Sequence, residues 1–162
     1  MHYAEAVTLL RRTPVFASLD PAGLKLLAFS STHLTFHDGE VLCLQGEPGD
    51  SVFVIDEGEV DVSITVHGLP VRIATLGRND IFGEMAVICN LPRTADVRAR
   101  GPLTVLKIEA DVFLQMVTGN PDSALGVMRV LAERLMRLTA LYQDLKRSMP
   151  EGSYPSAPVP PG

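Results

Sequence analysis

The sequence predicts a mainly β fold with flanking helices (α+β): an antiparallel β-roll or jelly roll with N-terminal helices before it and a long C-terminal helix after it. Short segments rich in β-branched residues fill residues 32–109, and glycine, proline and acidic turn residues separate them. Helical periodicity returns on both sides of that stretch. At 162 residues, 46% hydrophobic and 20% charged, the chain can fill one ordinary core and leaves no room for a second full-sized domain.

Residues 1–31 are expected to form an N-terminal helical segment. Tyr3, Ala6, Val7 and Leu10 recur at three- and four-residue steps. Asp20-Pro21 opens a second helix, with Asp as N-cap and Pro at the first helical position. Leu24, Leu27 and Ala28 share one side of it.

Residues 32–109 are expected to form the roll. Turn residues stand at Asp38-Gly39, Gly46–Gly49, Glu57-Gly58, His67–Pro70 and Gly77. Strands are expected over Val41–Leu44, Val52–Ile55, Val60–Val66, Val71–Leu76 and Leu103–Ile108, with another at about Thr94–Ala99. Val60, Val62, Ile64 and Val66 alternate with Glu59, Asp61, Ser63 and Thr65, the pattern of a strand wet on one side.

Residues 110–148 turn helical again. Asn120-Pro121-Asp122 breaks the run and starts a longer helix to about Ser148. Along it Ala124, Met128, Leu131, Leu135, Leu138, Tyr142 and Leu145 recur at steps of four and three. That pattern fits a coiled-coil seam, and it equally fits a face lying on the roll's own core. Residues 149–162, proline-rich, read as a disordered tail.

Composition narrows the function. A net charge of −5 provides no general electrostatic footprint for nucleic acid. Cys43 and Cys89 form no CxxC, so two free thiols in a reducing cytoplasm are expected. No apolar run reaches the roughly 18 residues of a membrane helix. Glu5 precedes Arg11-Arg12, the reverse of a secretory signal's charge order. The expectation is a soluble cytoplasmic protein with no membrane and no nucleic-acid partner.

Two metal readings compete with this. Asp38, Glu40, Glu47, Asp50, Asp56, Glu57, Glu59 and Asp61 crowd a stretch without lysine or arginine. A calcium loop would need EF-hand spacing and its central glycine, which are missing, so acidic turns solvating a sheet are expected. His33 and His37, four apart on a strand, would sit about 13 Å apart, too far to share a metal. No metal is expected.

The stretch Phe82–Ile88, followed by Leu91-Pro92-Arg93-Thr94-Ala95, carries the chemistry. Gly83 lets backbone approach a ligand where a Cβ would block it. Glu84–Cys89 is long enough for one or two helical turns whose free N–H groups face back toward Gly83, an anion-holding arrangement. Arg93 offers a guanidinium that forks onto phosphate oxygens, and Thr94 adds a hydroxyl. Glu84 beside an anion makes sense as acceptor for a neutral hydroxyl. Taken singly, Glu84 reads as a helix cap and Arg93 as a surface ion pair, while Met85 and Val87 read as core. Together the donors and the carboxylate describe a nucleotide with one phosphate.

Gly83-Glu84-Met85-Ala86, then six residues, then Arg93-Thr94-Ala95 resembles the phosphate-binding cassette of cyclic nucleotide-binding domains, of the catabolite activator and protein kinase regulatory-subunit type. Gln45–Asp50 and Phe53–Val60 resemble the same family, and the likeness spans about residues 13–145. The resemblance implies a β-roll holding cAMP or cGMP, with the cassette at 82–95 and the helices of 110–148 as hinge and lid. It implies that Arg93 pairs with the cyclic phosphate and Glu84 with the ribose 2′-OH. Gly83, Met85, Ala86 and Ala95 would offer backbone groups, with Met85 packing its side chain away. Thr94 would touch the phosphate and, with cGMP, the base; it is weak evidence on the choice of ligand, and cAMP is expected, with cGMP as the alternative.

No helix-turn-helix fits after Ser148, and no kinase loop, GxxxxGK[ST] or nucleophile elbow occurs. A non-catalytic regulatory module is therefore expected, either a stand-alone sensor, which the opening Met1 favours, or a domain of a longer protein. It would act on an unidentified downstream protein, with a homodimer through helix 121–148 as a further expectation. The alternative is a ligand-free oligomerisation or docking scaffold of the same fold. A small β-roll enzyme is a third class, for which no catalytic constellation shows.

Overall fold

The computed structural model describes residues 3–148. The described residues divide into two compact units, one on either side of the Val127–Met128 bond. The first holds all the strands among the described residues.

Helix α1 (Tyr3–Arg12) buries Ala6, Leu9 and Leu10. Tyr3, expected on that apolar side, is exposed; Leu9 takes part in the buried face in its place. In α2 (Pro21–Phe29) the expected cap is present: the Asp20 carboxylate accepts from the Gly23 N–H at 2.7 Å. Leu24, Leu27 and Ala28 are its buried residues.

The strands are β1 (Ser31–Phe36), β2 (Val41–Cys43), β3 (Ser51–Val66), β4 (Leu69–Leu76), β5 (Ile81–Phe82) and β6 (Asp96–Glu109). They form one antiparallel sheet in the order β1-β6-β3-β4, with β2 added on β6 and β5 on β3. The predicted antiparallel roll with flanking helices is present. Its inner layer joins Phe53, Ile55, Val60, Leu76, Phe82, Val97, Ala99, Leu103 and Val105.

Two expected breaks are bulges instead. Val52–Ile55 and Val60–Val66 run together as β3, because the register shifts twice between Ile55 and Glu59 without ending the pairing. Gly58 makes this possible: its φ is +94°, and a Cβ there would overlap the Pro102 carbonyl. Across from it, the two late strands join as β6, which begins at Asp96 and not at Thr94. The alternation in β3 holds only in part. Val60 is buried, Val62 and Ile64 are half-buried, and Val66 at the hairpin tip is exposed.

The crowded carboxylates bind their own chain. Asp56 accepts from Arg12 at 3.1 Å and lies 3.5 Å from His33, tying α1 to the roll. Asp61 accepts from Thr75 and pairs with Arg72 and Arg100. Asp38 caps the Gly101 N–H, and Glu40 accepts from the His37 N–H.

After β6 come α4 (Ala110–Thr118) and α5 (Pro121–Ser148), separated at the predicted Asn120-Pro121-Asp122 break. Phe113 of α4 meets Phe16 edge-on, with centroids 6.1 Å apart. Asn120 Oδ1 caps α5 by accepting from the Asp122 and Ser123 N–H groups. Within the first unit α5 buries Ser123, Gly126 and Val127. A Cβ on Gly126 would sit 3.0 Å from the Val15 Cα, so glycine allows the helix to seat closely there. In the second unit Met128, Leu135, Leu138, Tyr142 and Leu145 of the apolar seam are exposed. The expectation for 149–162 lies outside the described residues. Among the described residues no helix is long and apolar enough to cross a membrane.

Candidate ligand-binding site

The two motif stretches that stand apart in sequence form one assembly. Helix α3 (Glu84–Cys89) follows β5, and Gly83 at its N-cap takes φ +87°, a left-handed conformation that glycine adopts without strain. A Cβ on Gly83 would lie 2.7 Å from Arg93 Nη1 and 3.0 Å from the Ser51 carbonyl, so glycine also leaves room for the arginine.

The turn of residues 45–50 grips the other end of the cassette. Gly46 N–H donates to the Arg93 carbonyl at 2.8 Å, and Arg93 N–H donates to the Glu47 carbonyl at 2.7 Å. Pro48 and Pro92 form an isolated antiparallel bridge beside them. Gly49 meets Ala86 of α3 so closely that a Cβ on it would overlap the Ala86 methyl.

Arg93 is the centre of this assembly. Its side chain is 7% exposed. Nη1 donates to the Gly83 carbonyl at 3.0 Å, and Nη2 donates to the Ser51 carbonyl at 2.9 Å and to Ser51 Oγ at 3.3 Å. Asp50 adds a longer ion pair at 3.9 Å. The guanidinium lies 5.9 Å from the centroid of Phe53, whose ring stacks on Phe82 at 4.9 Å. The surface ion-pair reading of Arg93 is thereby corrected: the residue is buried and held by carbonyls. Its Nε–H takes part in none of these bonds, which leaves donor capacity on a cation fixed in place.

The other predicted site residues fall around it. Glu84 is buried at 1% exposure, and Ala86 is buried beside it in α3. Met85 is 47% exposed, which corrects its reading as core; Val87 is buried as expected. The six-residue α3 presents one side inward, and Met85 falls on the other. Thr94 is exposed and Ala95 half-buried, in the bend that precedes β6.

Sequence reasoning missed Asp50, Ser51 and Phe53 as partners of Arg93. Their signal was present in the Gly-Asp-Ser run ahead of a β-branched strand, but nothing in a linear sequence says that a strand's first residue faces an arginine in a later loop. Cys43 was also read only as a free thiol. Burial pushes its pKa above the ordinary 9.0; Arg93 pulls it down, while Asp50 and Glu47 push it up. Among the described residues no group of three or more His, Cys, Asp or Glu is placed to hold a metal.

Residues 33–120 match the cyclic nucleotide-binding domain family. A CRP-like cAMP-activated global transcriptional regulator of Mycobacterium tuberculosis is 25% identical over 138 residues, covering 85% of this chain and 62% of its own. The chain thus spans less than two thirds of that curated relative. The catabolite activator protein of Thermus thermophilus superposes with a TM-score of 0.70 at 26% identity, over 83% of this chain and 63% of that one. The regulatory domain of Toxoplasma gondii PKA, crystallised with cAMP, shares the fold with a TM-score of 0.66 at 24% identity, over 70% of this chain and 44% of its own. With the match covering more than half of its residues, including the Gly83–Ala95 cassette and the 45–50 turn that grips it, the chain belongs to the cyclic nucleotide-binding domain family.

Proposed function

We propose that this chain is a cyclic nucleotide sensor that binds cAMP or cGMP at residues 83–95 and is regulatory, not catalytic. The observation that carries the reading is the buried Arg93, which follows α3 and is fixed by the carbonyls of Gly83, at the N-cap of α3, and of Ser51, at the start of β3. A buried guanidinium with donor capacity left over attracts an anion strongly, because its charge is poorly screened there. The backbone N–H groups of Gly83, Met85 and Ala86 at the start of α3 add neutral donors. Ala95 contributes from the far side of the loop.

In this reading Glu84 takes the ribose 2′-OH and not the phosphate. A carboxylate beside a phosphate would repel it, whereas a sugar hydroxyl donates to it. Thr94 is exposed at the lip of the cassette, where its hydroxyl reaches phosphate or base. The cytoplasm is the compartment that suits such a ligand, and no nucleic acid, membrane or metal enters the scheme.

Output runs through helix 121–148. Ligand that favours one position of the helix over another shifts the population of that position. The exposed seam from Met128 to Leu145 suits a homodimer, or a docking surface for a downstream protein that reads the shift.

Isothermal titration with cAMP, cGMP, their 2′-deoxy forms and 5′-AMP tests the reading. A cyclic nucleotide is expected to bind, 5′-AMP to bind far more weakly, and 2′-deoxy forms to lose affinity through Glu84. Absence of binding by either cyclic nucleotide would leave the ligand-free scaffold as the function of this fold.

A further inference from the structure

We infer that Ser51 is a positioning residue for the Arg93 guanidinium, and that its hydroxyl, oriented by Asp50, sets which exocyclic oxygen of a cyclic phosphate the site prefers. The inference rests on the reading that residues 83–95 bind a cyclic phosphate.

A hydroxyl has one proton to donate and lone pairs to accept with. Ser51 Oγ donates its proton to Asp50 Oδ1 at 3.0 Å, which turns the lone pairs toward Arg93 Nη2 at 3.3 Å. Ser51 is 1% exposed, so no water competes for the hydroxyl from its own side. Asp50, in contrast, is 75% exposed in its side chain and stands 3.9 Å from Arg93 Nη2. It acts on the arginine mainly through Ser51. With the proton committed to a charged acceptor, the rotor has one orientation; without the carboxylate it has several.

The remaining contacts fix position but leave rotation open. Gly83 and Ser51 carbonyls hold the two Nη atoms, and the Phe53 ring faces the guanidinium. Carbonyls accept over a broad range of directions, and a ring face is insensitive to rotation about its normal. The Oγ contact is a second acceptor on Nη2, beside the Ser51 carbonyl. Both N–H bonds of Nη2 lie in the guanidinium plane, so engaging the two together fixes its tilt about the line joining the Nη atoms, and that tilt decides which phosphate oxygen the Nε–H meets.

Phosphorothioate analogues of cAMP read this out, since the Rp and Sp forms carry sulfur in place of one or the other exocyclic oxygen. They share charge, sugar and base. Wild type is expected to prefer one form by about tenfold or more, and Ser51→Ala to compress the ratio to within about threefold. The penalty for 2′-deoxy-cAMP should stay unchanged in the same variant. A purely structural role for Ser51 would weaken both phosphorothioates by the same factor and leave their ratio intact, which would overturn the inference. Asp50→Ala, at an exposed position, keeps the Ser51 hydroxyl but frees its rotor, and is expected to lower the ratio as well. This second variant decides the matter if Ser51→Ala fails to fold. A wild-type protein that binds cAMP without distinguishing the two forms also overturns the inference. One that binds neither cAMP nor cGMP overturns the cyclic nucleotide reading beneath it.

Discussion

Gly49 in the turn between β2 and β3 lies directly against the methyl of Ala86 in α3, with no space for a methyl on the glycine. The pair joins the two stretches of sequence that define the site, and it explains why a turn residue distant from the cassette matters to it. Gly49 does not adopt the left-handed backbone conformation, so any cost of a side chain there comes from overlap alone.

Gly49→Ala should therefore destabilise the fold by about 1–3 kcal/mol, the usual range for overpacking. Denaturant unfolding would show it as a lower midpoint with an unchanged slope. Ala86→Gly in the same chain should restore part of the loss, because it removes the opposing methyl. Additive losses in the double variant would show that the contact is not the cause.

Arg93 has two roles that mutation can separate. Arg93→Ala should weaken cyclic nucleotide binding by about 2–5 kcal/mol, the cost of removing one side of a buried hydrogen-bonded charge pair. It should also lower stability, since the carbonyls of Gly83 and Ser51 lose their donor; an unsatisfied buried acceptor costs about 1–3 kcal/mol. Arg93→Lys should rescue little of either. An ammonium is a point charge and cannot hold two carbonyls and a phosphate in one plane. Affinity for cAMP and cGMP within threefold of wild type in Arg93→Ala would sink the assignment of the cassette.

Much of this was legible in the sequence because it depends on local chemistry. The Asp20 cap, the Asn120-Pro121 break and the Gly83 turn are each set by neighbours in the chain. The continuity of β3 through Gly58 was not, because the glycine that usually marks a turn here absorbs a bulge against Pro102. Nor was the setting of Arg93. Its acceptors come from Ser51, 42 residues earlier, and from Gly83, 10 earlier, and only the pairing of β3 with β5 and β6 brings them together. Met85 failed for a related reason: six residues of helix give no periodicity from which to read its buried side.

The Cys43 thiol gives a pH prediction. Burial raises its pKa above 9.0 in the folded state, so the folded protein keeps a proton that the unfolded chain releases. The unfolded state then binds fewer protons at high pH, and stability falls as pH rises above about 9. Below that pH both states hold the proton and the thiol contributes no slope. Cys43→Ala should flatten the decline between pH 9 and 10.5 relative to wild type, measured by urea unfolding at each pH. Thiol labelling offers a parallel check: exposed Cys89 should react promptly at neutral pH, and buried Cys43 only after unfolding. An identical slope with and without Cys43 would show that its proton is not linked to folding.

The last prediction concerns α5, which carries the proposed output. Its first turns bury Ser123, Gly126 and Val127 within the first unit, so a chain stopped after Val127 keeps those contacts. A second chain stopped after Met149 keeps the whole seam and loses only the proline-rich sequence beyond it. The cassette supplies phosphate and sugar contacts from residues 83–95 in both. The longer chain should bind cyclic nucleotide like the intact protein. The shorter one should bind about tenfold or more weakly, a loss of about 1.4 kcal/mol or more, if the helix closes on the ligand. It should also lose any ligand-dependent change in self-association, because the exposed apolar residues from Met128 to Leu145 go with the cut. Far-UV circular dichroism establishes that both chains fold, and sedimentation with and without ligand reads the association. Equal affinity and equal association in the two chains would mean that α5 is neither lid nor lever, and the sensor would have to signal through another surface of the roll.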